Sequence, residues 1–157
     1  MALYLDKAEP QVWGAAQAFS ASVSTAAHAA GLTDLELEIM KVRASAINGC
    51  AFCLDLHSRG ARTAGVPQQK LDLLPAWRES PLFSERERAL LMVIEAATNL
   101  PLNATSRTEL ERAQEQLGDQ AFACAQLVAV AINTFNRISL LSHHPVRERD
   151  AAGKVVR

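Results

Sequence analysis

At 157 residues, with 49% hydrophobic and 21% charged side chains, the chain has the length and composition of one globular domain with a core of its own. A formal net charge of −1 gives no electrostatic case for nucleic acid or an anionic membrane surface, and no apolar run reaches the ~18–20 residues of a membrane span. The start, MALYLDKAEP, lacks the basic flank and apolar stretch of a secretory leader, so the cytoplasm is the expected location.

In chain order, nearly every segment reads as helix. Residues 10–30 open on Pro10, favourable at a first helical position, and reach Gly31, a natural stop. A second helix starts from Thr33 or Asp34, both good caps, and carries Leu35, Ile39, Val42 and Ala46 at helical spacing up to the Asn48-Gly49 break. A third runs from about Cys50 to Ala64, closed by Gly65 and Pro67. Pro75 and Pro81 bracket an irregular link containing Trp77. Ser84–Glu87 forms a capping box ahead of Leu90, Leu91 and Ile94, and Pro101 closes that helix. Ser106 and Glu109 read as another capping box, with Gly118 as the stop. A last long helix, roughly Gln120–Leu141, has apolar residues round much of its circumference, which suits a central core position or an interface. The charged tail after about 145 is expected to be flexible. No alternating strand pattern or repeat is present, so the expected fold is all-α in a single domain spanning 1–157.

The stretch Glu38–Gly65 carries the chemistry. Cys50 and Cys53 stand three apart, with His57 four beyond. On a helix, Cys50, Cys53, Leu54, His57, Ala61 and Ala64 share one stripe, while Phe52 and Leu56 point elsewhere. If the second and third helices pair as a hairpin across Asn48-Gly49, Glu38 comes level with His57. Glu38 lies at the edge of its apolar stripe and Glu36 points away, so Glu38 is the carboxylate expected to be partly buried, with a raised pKa suited to proton transfer. Both cysteines fall in the first turn, where unpaired N–H groups and the helix dipole lower thiol pKa. A peroxide can oxidise one thiol to a sulfenic acid, and the other can close a disulfide on it. An odd count of three cysteines, two of them adjacent, fits a redox or metal pair better than a secreted disulfide scaffold.

The spacing Glu38-x11-Cys50-x2-Cys53-x3-His57 resembles the alkylhydroperoxidase D-like branch of the carboxymuconolactone decarboxylase superfamily. So do the runs INGCAFCLDLHSRGAR, LLPAWRESPLF followed by ERALL, and INTFNRI. The resemblance covers roughly Leu32 to Leu141. It implies an all-helical fold, assembled as trimers or trimer-based hexamers, with Cys53 as the peroxidatic thiol and Cys50 as its resolving partner. It places Glu38 and His57 at proton-relay positions. It further implies a hydroperoxide substrate and an external dithiol reductant of the dihydrolipoyl type, with no bound cofactor or metal. The best-studied branch carries a histidine just before the second cysteine, where this chain has Phe52. Members that decarboxylate carboxymuconolactone generally lack the cysteine pair.

Rival readings remain for the same residues. The cysteines are also compatible with core packing or a structural metal half-site, for which Glu38 would have to be the fourth ligand. Glu38 is also compatible with a surface i,i+3 pair to Lys41. The fold is open to a lyase or isomerase acting on a lactone or small carboxylate, or to a redox-sensing oligomer without turnover. A thioredoxin-like site is disfavoured, because its motif belongs to a βαβ context. Cys124 reads as a buried structural thiol, His28 as structural, and His143 and His144 as solvent-facing residues past the last helix. Asn133, Asn136 and Arg137 read as packing or interface residues, and Trp13 and Trp77 as core or interface anchors.

Overall fold

A computed structural model describes residues 3–156. Met1, Ala2 and Arg157, part of the start and tail discussed above, lie outside the described residues. The helices are α1 (Leu5–Ala8), α2 (Pro10–Ala29), α3 (Asp34–Ile47), α4 (Ala51–Thr63), α5 (Gln68–Asp72), α6 (Glu85–Thr98), α7 (Ala104–Leu117) and α8 (Asp119–Leu141), with a 3₁₀ turn at Leu74–Ala76. Among the described residues the only β feature is an isolated bridge between Arg149 and Val155. The fold is all-α, as the punctuation of the sequence predicts.

The helix ends follow from local chemistry. Gly31, Gly49 and Gly65 have φ of 81°, 68° and 90°. Each closes its helix with the paired bonds of a left-handed cap, as in Gly49 N–H to Ala46 O and Cys50 N–H to Ser45 O. That cap makes the α3–α4 turn tight and fixes Cys50 as the first residue beyond it. Thr33 caps α3 in a reciprocal box with Glu36, and Ser84 does the same for α6 with Glu87. The α7 cap differs from expectation: Asn103, not Ser106, is the cap, with Ser106 as its reciprocal partner. Glu109 is thereby released to pair with Arg78, 2.7 Å away.

α8 is the central element and packs against α2, α3, α6 and α7, with α4 crossing it. Ala121, Ala125, Ala129 and Asn133 recur every fourth residue on its buried side, where small side chains let neighbouring helices approach closely. By length and hydropathy alone α8 does reach what a membrane span needs, contrary to the sequence expectation. Half of its most apolar window is buried inside the fold, which is what a core helix requires.

Two segments carry more structure than the sequence suggests. α1 precedes Pro10 and docks on α8. The Pro75–Pro81 link buries Trp77, whose Nε1–H donates to Glu95 at 2.7 Å. Beyond Pro145 the chain forms a turn between Arg149 and Val155, and Arg149 Nε comes 3.8 Å from Asp55 on α4.

Candidate active site

α3 and α4 lie side by side and bring Glu38 level with His57, as the hairpin count requires. Glu38 Oε2 is 2.9 Å from His57 Nδ1, and Glu38 Oε1 accepts from Lys41 Nζ, also at 2.9 Å. One carboxylate oxygen thus faces the imidazole and the other the i,i+3 lysine. An ionised carboxylate only accepts, so the shared hydrogen resides on Nδ1 and the neutral ring keeps its lone pair on Nε2.

The expected rise in the Glu38 pKa is not what the structure gives. Burial pushes it upward, but the hydrogen bond from His57, followed by the charge and hydrogen bond of Lys41, outweighs burial and holds the carboxyl below its ordinary value. Glu38 is thus a fixed anion that orients His57. Nor is Glu38 the more buried of the two carboxylates. Glu36 is 8% exposed, because it closes the α3 capping box through Oε2 and accepts from Arg86 Nε at 2.7 Å through Oε1.

Cys50 is the N-cap of α4, and its Sγ accepts the Cys53 N–H at 3.4 Å. Both cysteines are free thiols and nearly inaccessible, at 1% and 3% exposure. The helix start does not lower the Cys50 pKa as anticipated. Burial pushes it up to about 12, reinforced by the Cys53 side chain, while the Cys53 N–H and the Ser139 hydroxyl act in the opposite sense. The Cys53 thiol points toward the Phe135 carbonyl of α8, at 4.0 Å, rather than bonding directly to His57.

Cys53 and His57 open on one cavity of about 600 Å³ between α2, α3, α4 and α8. Trp13, Val128, Ile132 and Phe135 form much of its apolar wall, and Lys41 supplies a cation. Trp13 meets Phe135 edge to face at 5.5 Å, so it lines this cavity, whereas Trp77 is in the core. Phe52 and Leu56, expected to point away from the active stripe, also border the cavity. Cys124 is buried in the core, and His28 pairs with Asp34 at the surface, 2.8 Å away.

The turn that carries Cys50 is pinned from α8. Asn48 Nδ2 donates to both Asn133 Oδ1 and Asn136 Oδ1, at 2.9 and 2.8 Å, and Asn136 Nδ2 donates to Ser45 Oγ at 3.1 Å. Arg137 bonds the Asn133 carbonyl and side chain at 3.0 Å. These residues hold the turn instead of facing the reacting groups. Among the described residues no group of three or more His, Cys, Asp or Glu side chains is arranged to hold a metal ion.

Comparison with known proteins follows the same residues. The sequence profile of the carboxymuconolactone decarboxylase family matches residues 14–96. The chain belongs to this family. Both cysteines, Glu38 and His57 lie inside the family match. The uncharacterised protein YdfG of Bacillus subtilis is 35% identical over 103 residues, covering 66% of this chain and 70% of YdfG. YnjA of Escherichia coli, also uncharacterised, is 40% identical over 52 residues, covering 33% of this chain and 29% of YnjA. A crystal structure from Agrobacterium tumefaciens, of the protein ATU0492, superposes with a TM-score of 0.79 at 34% identity, covering 92% of this chain and 97% of that one. ATU0492 is described as a protein of unknown function and a candidate antioxidant defence protein AhpD. The family's AhpD-like fold is the one seen here.

Sequence reasoning missed two residues of the site. Gly60 faces Glu38 from α4: a Cβ built there would lie 2.6 Å from Glu38 Oε2. A glycine in mid-helix was the available signal. The second is His144, expected to face solvent. It lines the cavity with its side chain only 13% exposed, while His143 is exposed.

Proposed function

We propose that the chain is an antioxidant thiol peroxidase. Cys53 attacks the hydroperoxide, Cys50 resolves the product, and the Glu38–His57 pair moves protons. The observation that carries this reading is the 2.9 Å Glu38–His57 pair, whose imidazole lines the same cavity as Cys53. In the first step the Cys53 sulfur forms a bond to the terminal peroxide oxygen and the O–O bond breaks. The proton of the Cys53 thiol passes to His57 Nε2, Cys53 becomes a sulfenic acid, and the departing alkoxide takes that proton from His57. Cys50 then displaces hydroxide from the sulfenic sulfur, giving the disulfide and water. An external dithiol of the dihydrolipoyl class reduces the disulfide by exchange.

The cavity's aromatic and aliphatic walls suit an organic hydroperoxide. Family membership and the likeness to ATU0492 support the antioxidant reading. Leu127, Val130 and Leu141 are exposed along one side of α8, which supports the homo-oligomer that the resemblance implies.

The test supplies an alkyl hydroperoxide and dihydrolipoamide. Wild type should turn over, Cys53→Ser should be inactive, and Cys50→Ser should stop at a sulfenic acid on Cys53. Activity that survives loss of both cysteines would overturn the reading in favour of lactone or carboxylate chemistry. A reversible disulfide without turnover would overturn it in favour of redox sensing.

A further inference from the structure

Cys53 does not sit at the middle of its cavity. Its thiol points at the Phe135 carbonyl, 4.0 Å away, so Phe135 marks its level along α8. Ser139 lines the cavity one helical turn after Phe135, and Val128 lines it two turns before. At 1.5 Å per residue the cavity thus reaches about 6 Å from that level one way and about 10 Å the other.

The short arm ends in a polar wall. Ser139 Oγ lies 3.2 Å from His144 Nδ1, and His144 Nε2 lies 3.1 Å from Asp6 Oδ1. All three side chains line the cavity, so the two pairs span it from α8 to α1. His143 makes this possible. Its φ of 51° is left-handed, and the turn lets the His144 N–H donate to Ser139 O, folding His144 back over the end of α8. Tyr4 stacks on the His144 ring at 5.4 Å, and Phe52 leans on it at 5.2 Å. The Leu5 N–H, donating to Ser142 Oγ at 3.0 Å, ties α1 to the same turn. A hydrocarbon chain pushed into this arm would have to break one of these polar pairs without replacing it.

The long arm is bordered by small and apolar side chains. The chain meets α8 at Leu5–Ser142 and again at Trp13–Phe135, so α2 runs opposite to α8. Ser20, Ala21 and Ser24, farther along α2, therefore line the cavity on the Val128 side, where their small size leaves space. α3 reaches Asn136 with its C-terminal end, through Ser45 and Asn48, so Leu37 near its start lies on that side too. His57 is placed the same way. It follows Cys53 by one turn of α4 and meets Glu38 near the start of α3.

The departing peroxide oxygen takes its proton from His57, so the carbon bonded to that oxygen is directed into the long arm. Each methylene laid there leaves water for an apolar wall, whereas a branched group fills only the space beside His57. We infer that the site selects linear alkyl hydroperoxides over branched ones. The chain lies between Leu37 and the Ser20–Ser24 stretch of α2, and the Asp6–His144–Ser139 wall bars the other direction. This rests on the proposed peroxidase chemistry of Cys53.

The test measures Cys53 oxidation in the full chain by n-octyl hydroperoxide, tert-butyl hydroperoxide and hydrogen peroxide, each rate divided by that of free cysteine. Wild type should prefer n-octyl over tert-butyl hydroperoxide by at least about 10-fold, as extra methylenes in a matching pocket do. Ser20→Trp and Ser24→Trp fill the long arm. Each should lower the ratio of the n-octyl rate to the hydrogen peroxide rate by about 10²-fold. Both serines are half-buried on α2, so the second variant carries the test if the first does not fold. Asp6→Ala opens the short arm and should leave the n-octyl preference in place. Equal rates for n-octyl and tert-butyl hydroperoxide in wild type, or an unchanged ratio in both serine variants, would overturn the inference. A preference lost in Asp6→Ala and kept in the serine variants would put the chain at the closed end and overturn it as well. Those outcomes leave the peroxidase reading standing, because Cys53 is still oxidised. A Cys53 that stays reduced with all three peroxides would overturn that reading and the inference with it.

Discussion

Two carboxylates in this molecule sit in closely similar surroundings, yet only one belongs to the candidate site. Glu38 and Glu95 have side chains 16% and 12% exposed. Burial pushes both pKa values up, and in both the hydrogen bonds and charges of partners win and hold the group below its ordinary value. The difference lies in the partners. Glu95 accepts from Arg43 at 2.7 Å, from Trp77 at 2.7 Å and from Arg78 at 2.8 Å. A guanidinium and an indole N–H hold their protons throughout the physiological range. Glu38 faces an imidazole, a group able both to take up and to give up a proton, and that imidazole borders the cavity with Cys53. A buried, depressed carboxylate is therefore not in itself a site. What distinguishes one is a partner able to give up a proton and a path from that partner to a reacting atom.

This contrast sets the predicted effects. Glu38→Gln should lower peroxide turnover by about 10²–10⁴-fold, the usual contribution of positioned proton transfer, with little loss of stability in urea unfolding. Glu95→Ala should do the converse. It strands Arg43 and Trp77 and should cost about 3–5 kcal/mol of stability, as removal of one partner from a buried ion pair does, with the folded fraction retaining its Cys53 chemistry. A Glu95→Ala variant of full stability and lost activity would erase the distinction.

Gly60→Ala sharpens the comparison from the face of α4 that meets Glu38. Alanine in a helix interior is favoured over glycine by about 0.5–1 kcal/mol, so stability should hold or rise. The new Cβ, 2.6 Å from Glu38 Oε2, must displace the carboxylate from His57, so turnover should fall while the melting temperature does not. The smallest effect concerns acid stability. A depressed folded pKa contributes stability that is present above the unfolded carboxylate pKa and lost as pH falls through the folded value. Glu38→Gln and Glu95→Gln should each flatten the acid limb of the stability profile, measured by urea midpoints across the pH series.

The parts of this picture that were legible in the sequence are the locally determined ones. Pro10, the capping residues Thr33 and Ser84, and the glycines at 31, 49, 65 and 118 mark helix ends through chemistry confined to a few residues. Counting outward from Asn48-Gly49 was enough to pair Glu38 with His57. The misses have physical reasons. Glu36 was buried partly through a readable Thr33-x-x-Glu36 capping box and partly through Arg86, fifty positions away. The direction of the Glu38 pKa depended on whether Lys41 and His57 outweigh burial, a balance that spacing does not give. Glu95, Arg43, Trp77 and Arg78 meet only in three dimensions. His144 was read as solvent-facing because nothing in its sequence signals that His143 adopts the left-handed turn normally given to glycine.

The most direct measurement is single-turnover oxidation of Cys53 in a Cys50→Ser background, with the sulfenic acid trapped by dimedone and located by mass spectrometry after one equivalent of alkyl hydroperoxide. The account predicts rapid sulfenic acid formation on Cys53, slowed about 10²-fold by Glu38→Gln and, per folded molecule, changed less than about twofold by Glu95→Gln. A Cys53 that stays reduced, or equal slowing by both carboxylate variants, would contradict it.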